Sequence, residues 1–369
     1  MKLERASPDG LDPPQIICDL LKPLVGSRSP FMNRILVIGS NSFSGATFVE
    51  HALASGMEVL GVSRSAEPAV CFLPYRWAAA QNKSTTRTPR GSFQFHQGDL
   101  NKDLDAIFAA ADTFQPEYVV NFSAQGMVAQ SWETPLHWFQ TNLMANVALS
   151  DRLRKAPWLR RYLHVGTPEV YGNCTGTVRE DAPFNPSTPY AASRAACDMH
   201  LRTYFRQYGF PVLWTRAANV FGPGQQLYRI IPRTILCIKT GTKLQLHGGG
   251  HSVRSFIHIR DVAKATLAVA ERGTPGETYH LSTDLHLSIR ALVERICNRM
   301  NVAFEEAVEI VDDRPGKDAA YLLDSTKARR ELGWMDSETL DAGIDECIAW
   351  IERDLHEILR QPQDYIHKP

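Results

Sequence analysis

The feature that most limits how this chain can fold is Arg34-Ile-Leu-Val-Ile-Gly39, an apolar run of strand length. It breaks at once into Ser40-Asn-Ser-Phe-Ser-Gly45 and then into helical spacing over Ala46 to Ser55. A strand, a glycine-bearing turn and a helix start in direct succession put free backbone N–H groups and the positive end of a helix dipole at one point. A pyrophosphate fits there. The middle position of the turn, where a glycine is usual, is Ser42. The same pieces also make an ordinary strand-to-helix turn, so the context downstream carries the argument.

That context alternates. Glu58-Val-Leu-Gly-Val62 reads as a second strand, Phe93-Gln-Phe-His96 as a third leading into Gly98-Asp99-Leu100, Leu104 to Phe114 as a helix, and Tyr118-Val-Val-Asn-Phe122 as a strand. A helix follows over Pro135 to Leu153, then a strand at Arg161-Tyr-Leu-His-Val165, a helix over Ala191 to Tyr208 and a strand at Pro211-Val-Leu-Trp-Thr-Arg216. Strands alternating with helices predict an α/β chain with a Rossmann-like doubly wound parallel sheet. Ser255-Phe-Ile-His-Ile259 and Asp261 to Glu271 read as a strand and helix returning to it, and an amphipathic helix over Ser288 to Met300 belongs to a smaller C-terminal α/β substrate-binding cap. The expected division is an N-terminal extension at 1–31, a dinucleotide-binding part at 32–220 with 255–285, and the cap at 221–254 and 286–369.

Chemistry concentrates where two short motifs follow the fifth strand. Val165-Gly-Thr-Pro-Glu-Val-Tyr-Gly172 and Pro189-Tyr-Ala-Ala-Ser-Arg194 bring together a hydroxyl (Thr167), a carboxylate (Glu169), a phenol (Tyr190) and a guanidinium (Arg194). Tyr190 and Arg194 are four apart and share a helix face. A phenol has a pKa of about 10, and a fixed cation beside it favours the phenolate, which suits it to take a proton from an alcohol. Read singly, Tyr190 is also a plausible half-buried helix-start aromatic and Glu169 a solvated loop carboxylate. After the second strand, Ser63-Arg-Ser65 offers Arg64 where a NAD-selective site would place an acid. An arginine there suits the 2'-phosphate of NADP, or stacks on adenine, or faces water.

In this order, Gly39 to Gly45, Gly98-Asp99-Leu100, Asn121-Phe-Ser-Ala-Gln125, Thr167-Pro-Glu169 and Tyr190-x-x-x-Arg194 resemble the extended short-chain dehydrogenases/reductases, specifically the NAD(P)-dependent epimerases and dehydratases of nucleotide sugars. Asn219-Val-Phe-Gly-Pro223, Arg254-Ser-Phe-Ile-His258, Asp313-Arg-Pro-Gly-Lys-Asp318 with Tyr321, and Glu331-Leu-Gly-Trp334 are similar to blocks of the dTDP-glucose 4,6-dehydratases. Ala124-Gln125, Ser131-Trp-Glu-Thr-Pro135 and the Arg64 position look more like GDP-mannose 4,6-dehydratases. The resemblance implies cofactor contacts at Gly39, Ser42, Phe43, Gly45, Arg64, Asp99, Leu100, Ser123, Ala124, Tyr190 and Arg194. It implies nucleotide-sugar contacts at Gln125, Asn219, Arg229, Arg254 and Arg314. Asp99 also reads as a plain turn residue.

Three positions depart from that pattern. The usual lysine after the tyrosine is Arg194, which keeps the charge in a longer, planar group. Ser42 replaces the middle glycine, predicting a slightly wider approach to the pyrophosphate. Pro168 stands where the dTDP-glucose enzymes carry an acid, and proline donates no proton. The implied reaction is an internal redox cycle with NADP or NAD: oxidation at carbon 4 with Tyr190 as base and Thr167 holding the oxygen, elimination of water across carbons 5 and 6 with Glu169 as base, and hydride return to carbon 6. With Pro168 in place, Glu169 is expected to hand the carbon-5 proton to the departing oxygen itself. The alternatives are an epimerase or decarboxylase of the same family and a non-catalytic nucleotide-sugar binding protein.

Composition excludes little. Equal counts of 40 basic and 40 acidic side chains in 369 residues give no pull toward nucleic acid or a membrane surface. No apolar stretch reaches the length of a membrane span. The seven cysteines are scattered, which reads as reduced thiols in a cytoplasmic protein. His247 and His251 flank three glycines with no third ligand at metal spacing, so this is a turn and no metal is expected. The proline-studded residues 1–31 show no sustained period and are expected to be disordered, and Glu67 to Gly91 reads as a long irregular loop over the cofactor or at a subunit contact. By the resemblance, a homodimer is expected through the helices at Pro135 to Leu153 and Ala191 to Tyr208.

Overall fold

The computed structural model describes residues 34–80, 91–174, 176–312 and 322–368. The expected N-terminal extension, Arg314 and the Asp313–Asp318 block with Tyr321 lie outside the described residues. Seven strands form one wholly parallel sheet. In chain order they begin with β1 (Arg34–Ile38), β2 (Glu58–Ser63), β3 (Phe93–Gln97), β4 (Tyr118–Asn121) and β5 (Arg161–Val165). The strands Val212–Ala217 and Thr278–Leu281 complete it beyond β5, while β1 sits between β4 and β2, with β3 at the far edge. The strand order therefore reverses between β1 and β4, and ligands bind beyond the carboxyl ends of the strands at such a point.

The strands are near-continuous apolar runs because helices cover both faces. Ile35, Val37, Val119 and Val120 are completely buried. One face packs Leu36, Ile38 and Val119 against Leu149, Leu153 and Leu201 of the helices Ala145–Leu153 and Pro189–Tyr208. The other is covered by the helices Phe43–Ala54 and Ile259–Arg272.

Two expectations are corrected. The segment Glu67 to Gly91 is not irregular throughout, since it holds a 3₁₀ turn at Val70–Phe72 and a helix at Pro74–Ala80. Pro74 opens that helix with its φ already set. Tyr75 and Arg76 both bond the Glu67 carboxylate, and Tyr75 packs on Phe93. The run is too short to show a period, so only these tertiary contacts define it; residues 81–90 lie outside the described residues. The helix expected over 135–153 is interrupted by a π-helical segment at Gln140–Met144, between Pro135–Phe139 and Ala145–Leu153.

The smaller sheets lie elsewhere. Asn219–Phe221 pairs in parallel with Val253–His258, which also pairs with His286–Ser288. Leu244–His247 pairs with Val308–Val311, and Thr177–Val178 with Leu322–Leu323. A second apolar core gathers Ile231, Ile235, Leu292, Ile344 and Trp350 from the helices Ile230–Thr240, Ile289–Arg299 and Leu340–Ile358. The Trp350 indole donates to the Cys71 carbonyl at 2.8 Å, tying this core to the turn after β2.

Candidate active site

The turn after β1 is shaped by two glycines. Gly39 has φ +80°, and a Cβ there would stand 3.0 Å from the Ser123 nitrogen. A Cβ on Gly45 would stand 2.1 Å from the Gly39 carbonyl oxygen, so the helix can start this close to the strand only with glycine. Ser42 is the N-cap of helix Phe43–Ala54. Its hydroxyl accepts from the Gly45 N–H at 3.0 Å and donates to the Gly39 carbonyl at 2.7 Å. Its side chain is folded back into the turn and closes it, which accounts for a serine where glycine was expected. The first turn of the helix carries no acid, so its free N–H groups suit a dinucleotide's pyrophosphate.

Beside this turn runs a cleft of about 600 Å³, lined by Gly39, Ser42, Phe43, Arg64, Asp99 and Leu100 and, further along, by Ser123, Ala124 and Gln125. The structure thus gathers the expected cofactor residues of four strand ends onto one cavity. Asp99 lines the cleft, and its carboxylate accepts from the Asn101 backbone N–H at 2.9 Å, as a turn residue does. Arg64 stands at the cleft edge and donates to the Lys368 carbonyl at 3.2 Å. Gln125 is buried. Its backbone N–H bonds the Asn142 side chain at 2.8 Å, and its own amide donates to the Lys368 carbonyl at 2.6 Å. Asn142 belongs to the π-helical segment, and such segments often mark functional sites.

Thr167, Glu169 and Tyr190 are not part of that cleft's lining. They come after β5, the strand paired with β4, whose end supplies Ser123 to Gln125. Thr167 caps a 3₁₀ turn over Pro168–Tyr171, its hydroxyl accepting from the Glu169 N–H at 3.3 Å. Pro168 is buried at the first position of that turn, where it has no N–H to lose. Thr188 caps helix Pro189–Tyr208 and so fixes Tyr190 in its first turn, 9% exposed.

Burial, and then the nearby Glu169 carboxylate, hold the Tyr190 phenol above its ordinary pKa. Arg194, a hydrogen bond with Thr167, and Arg229 pull the other way and are outweighed. Thr167, Glu169 and Arg194 of the two motifs thus all act on the Tyr190 phenol, but the cation does not by itself make it a phenolate.

Arg194 is itself held in the interior. Its guanidinium is turned inward, 2% exposed, donating to the Val165 carbonyl and to His164 Nε2, the latter at 3.2 Å. His164 is kept neutral by burial and by Arg194 and Arg216. Arg194 rests on a buried polar cluster that motif reading missed. Arg216 bonds Asp198 at 2.6 Å and the Tyr171 hydroxyl at 3.1 Å, and Tyr171 bonds His280 at 2.8 Å. One signal was available: Asp198 follows Arg194 by four residues, so the helix carries Tyr190, Arg194 and Asp198 on one buried stripe.

The expected substrate residues are more dispersed. Arg229 is the N-cap residue of helix Ile230–Thr240, with its guanidinium 5.4 Å from the Tyr228 ring. Asn219 pairs with Phe256 across the small sheet, and Arg254, two residues before Phe256, donates to the Val253 carbonyl.

A family model described as GDP-mannose 4,6 dehydratase matches residues 36–347. A dTDP-glucose 4,6-dehydratase of Neisseria meningitidis is 30% identical over 343 residues, covering 86% of this chain and 93% of that protein. A probable dTDP-glucose 4,6-dehydratase of Sinorhizobium fredii is 32% identical over 336 residues, covering 86% and 92%. Among solved structures, the dTDP-glucose 4,6-dehydratase of Streptomyces venezuelae, with NAD bound, superposes with a TM-score of 0.77 at 30% identity, over 88% of this chain and 98% of that one. A match that runs from the first strand into the last long helix, through the glycine turn and both motifs after β5, shows that the chain belongs to the GDP-mannose 4,6 dehydratase family.

Proposed function

We propose that the chain is an NAD(P)-dependent nucleotide-sugar 4,6-dehydratase that converts a nucleoside-diphosphate hexose to its 4-keto-6-deoxy form. The observation that carries this reading is the meeting of Thr167, Glu169 and Tyr190 at the end of β5, one strand from the dinucleotide cleft. A nicotinamide held in the cleft lined by Gly39, Ser42 and Ser123 would supply the acceptor for hydride from carbon 4 and the hydride returned to carbon 6. Tyr190 takes the proton of the 4-hydroxyl, with Arg194 and Arg229 favouring its phenolate. Thr167 hydrogen-bonds the 4-oxygen. Once carbon 4 is a ketone the carbon-5 proton is acidic, and Glu169 removes it. The same carboxyl then protonates the 6-oxygen as the carbon–oxygen bond breaks and water leaves, which accounts for Pro168 in place of an acid; a proton from solvent is returned to carbon 5 as hydride reaches carbon 6. An epimerase acting at carbon 4 needs no such base at carbon 5.

Residues 32–220 with 255–285 form the cofactor part and 221–254 with 286–369 the substrate cap, in keeping with the two separate apolar cores. Gln125, Asn219, Arg229, Arg254 and Arg314 are assigned to the substrate. Arg64 at the end of β2, with no acid at Ser63 or Ser65, favours NADP over NAD. A homodimer is supported by Leu136, Met144, Met199 and Tyr208, large apolar side chains left exposed on the two helical segments 135–153 and 189–208. The scattered spacing of the cysteines is in keeping with a cytoplasmic protein. No helix among the described residues is long and apolar enough to cross a membrane.

The test is mass spectrometry of the protein with a panel of nucleoside-diphosphate hexoses in deuterated water, alongside Glu169→Gln. The wild type should release one water and retain deuterium in the product. Glu169→Gln should lose elimination while still oxidising carbon 4, seen as the near-ultraviolet band of the reduced cofactor. Normal elimination by Glu169→Gln would refute the assignment of the base.

A further inference from the structure

Residues 361–368 come after the last long helix and lie beyond the family match, which ends at residue 347. They do not trail away. Gln361, Pro362, Asp364, Tyr365, Ile366 and Lys368 form one wall of the same cleft that the glycine turn, Arg64 and Ser123 to Gln125 line. The segment is tied at both ends. On the cap side, Asp364 pairs with Arg233 at 2.8 Å, and the Tyr365 ring meets Tyr228 edge-on at 5.6 Å. On the sheet side, His367 stacks on Trp138 at 5.0 Å, with its Nε2 2.8 Å from His137 Nδ1. The Tyr365 hydroxyl braces His367 from within the segment at 3.1 Å. The Lys368 carbonyl accepts from Arg64 on one side and Gln125 on the other, bridging the ends of β2 and β4.

We infer that Gln361–Lys368 is a strap that closes over the bound dinucleotide and retains it between turnovers. Three observations favour a strap over a plug. The cleft keeps about 600 Å³ open with the segment docked. The segment's anchors, Arg233, Tyr228, His137 and Trp138, lie outside the glycine turn. And the two side chains that donate to its Lys368 carbonyl, Arg64 and Gln125, themselves line the cleft at the ends of β2 and β4. The retention role rests on the proposed dehydratase cycle, in which the cofactor is regenerated in place, so slow release does not slow turnover. The strap also supplies cofactor-site residues that a motif search over the family match does not reach.

The experiment compares the full chain, a chain ended after Arg360 and the single variant His367→Ala. NADPH and NADH are bound to each without sugar, and release into excess oxidised cofactor is followed by fluorescence in a stopped-flow instrument. The truncated chain should release the dinucleotide at least about tenfold faster, equivalent to about 1.4 kcal/mol of lost contact. His367→Ala should fall between the two. Bound dinucleotide should also slow tryptic cleavage after Arg360 in the full chain. Equal release rates would overturn the strap, and tighter binding by the truncated chain would show a plug instead. If tail removal speeds release while no nucleotide hexose is dehydrated, the strap stands and the dehydratase reading falls. A full chain that binds neither dinucleotide overturns both.

Discussion

Replacing Asp198 by alanine tests the buried cluster beneath Arg194. Asp198 is 1% exposed and its partner Arg216 is 0% exposed, with nitrogen and oxygen 2.6 Å apart. Removing the carboxylate leaves a guanidinium with no counter-charge in the interior, a class of change that costs about 3–5 kcal/mol. Arg216 keeps some compensation, since its guanidinium stands 5.1 Å from the Tyr171 ring and 5.2 Å from the Phe184 ring and donates to the Tyr171 hydroxyl. That favours the lower end, about 3 kcal/mol, or a fall in Tm of about 4 °C for a chain of this size. Urea denaturation and thermal circular dichroism measure it. The double variant Asp198→Ala/Arg216→Met removes both charges and fills part of the space, so it should recover much of the loss, giving a coupling of about 1 kcal/mol or more in the cycle. A loss under about 1 kcal/mol for Asp198→Ala, or simple additivity in the double variant, would refute the view that this pair is a mutually dependent buried ion pair.

Gly45→Ala places a methyl 2.1 Å from the Gly39 carbonyl and so forces the strand and helix start apart. Dinucleotide affinity should fall at least about tenfold, measured by cofactor fluorescence, while circular dichroism stays close to wild type; unchanged affinity would remove the turn from the cofactor site. Acid should destabilise the protein earlier than its carboxylates alone would. Burial depresses His258 to about 4 and His280 to about 3, and holds His164 well below its ordinary value. These rings are neutral when folded and charge on unfolding, so the unfolded chain binds more protons between pH about 6.5 and 3. Stability is therefore full above about 6.5 and falls as the pH drops through that window, with His258 alone contributing about 3 kcal/mol by pH 4. A flat Tm between pH 7 and 5 would contradict this.

Much of the architecture was legible because local rules suffice for it. β1, the glycine turn and its helix are marked by an apolar run, by glycine where only glycine fits, and by a change of period from two to 3.6. Thr167 and Glu169 were placed at a strand end for a similar reason: parallel strands all end on the same side of the sheet, so residues just after β5 emerge at that edge. The short helix at Pro74–Ala80 and the π-helical segment at Gln140–Met144 were not legible, because each is stabilised by distant partners, Glu67 and Phe93 in one case and the Asn142 contact with Gln125 in the other.

The sequence by itself determined the doubly wound sheet, the glycine turn after β1 and the position of Thr167 and Glu169 just after β5. Only the tertiary structure decided which way Arg194 points and that burial and Glu169 outweigh its charge at Tyr190. It alone, too, carried Lys368 back across 304 positions of chain to Arg64 and 243 to Gln125. The physical reason is the same in both cases: burial and long-range hydrogen bonds depend on which surfaces meet after folding, and no period or spacing along the chain encodes that meeting.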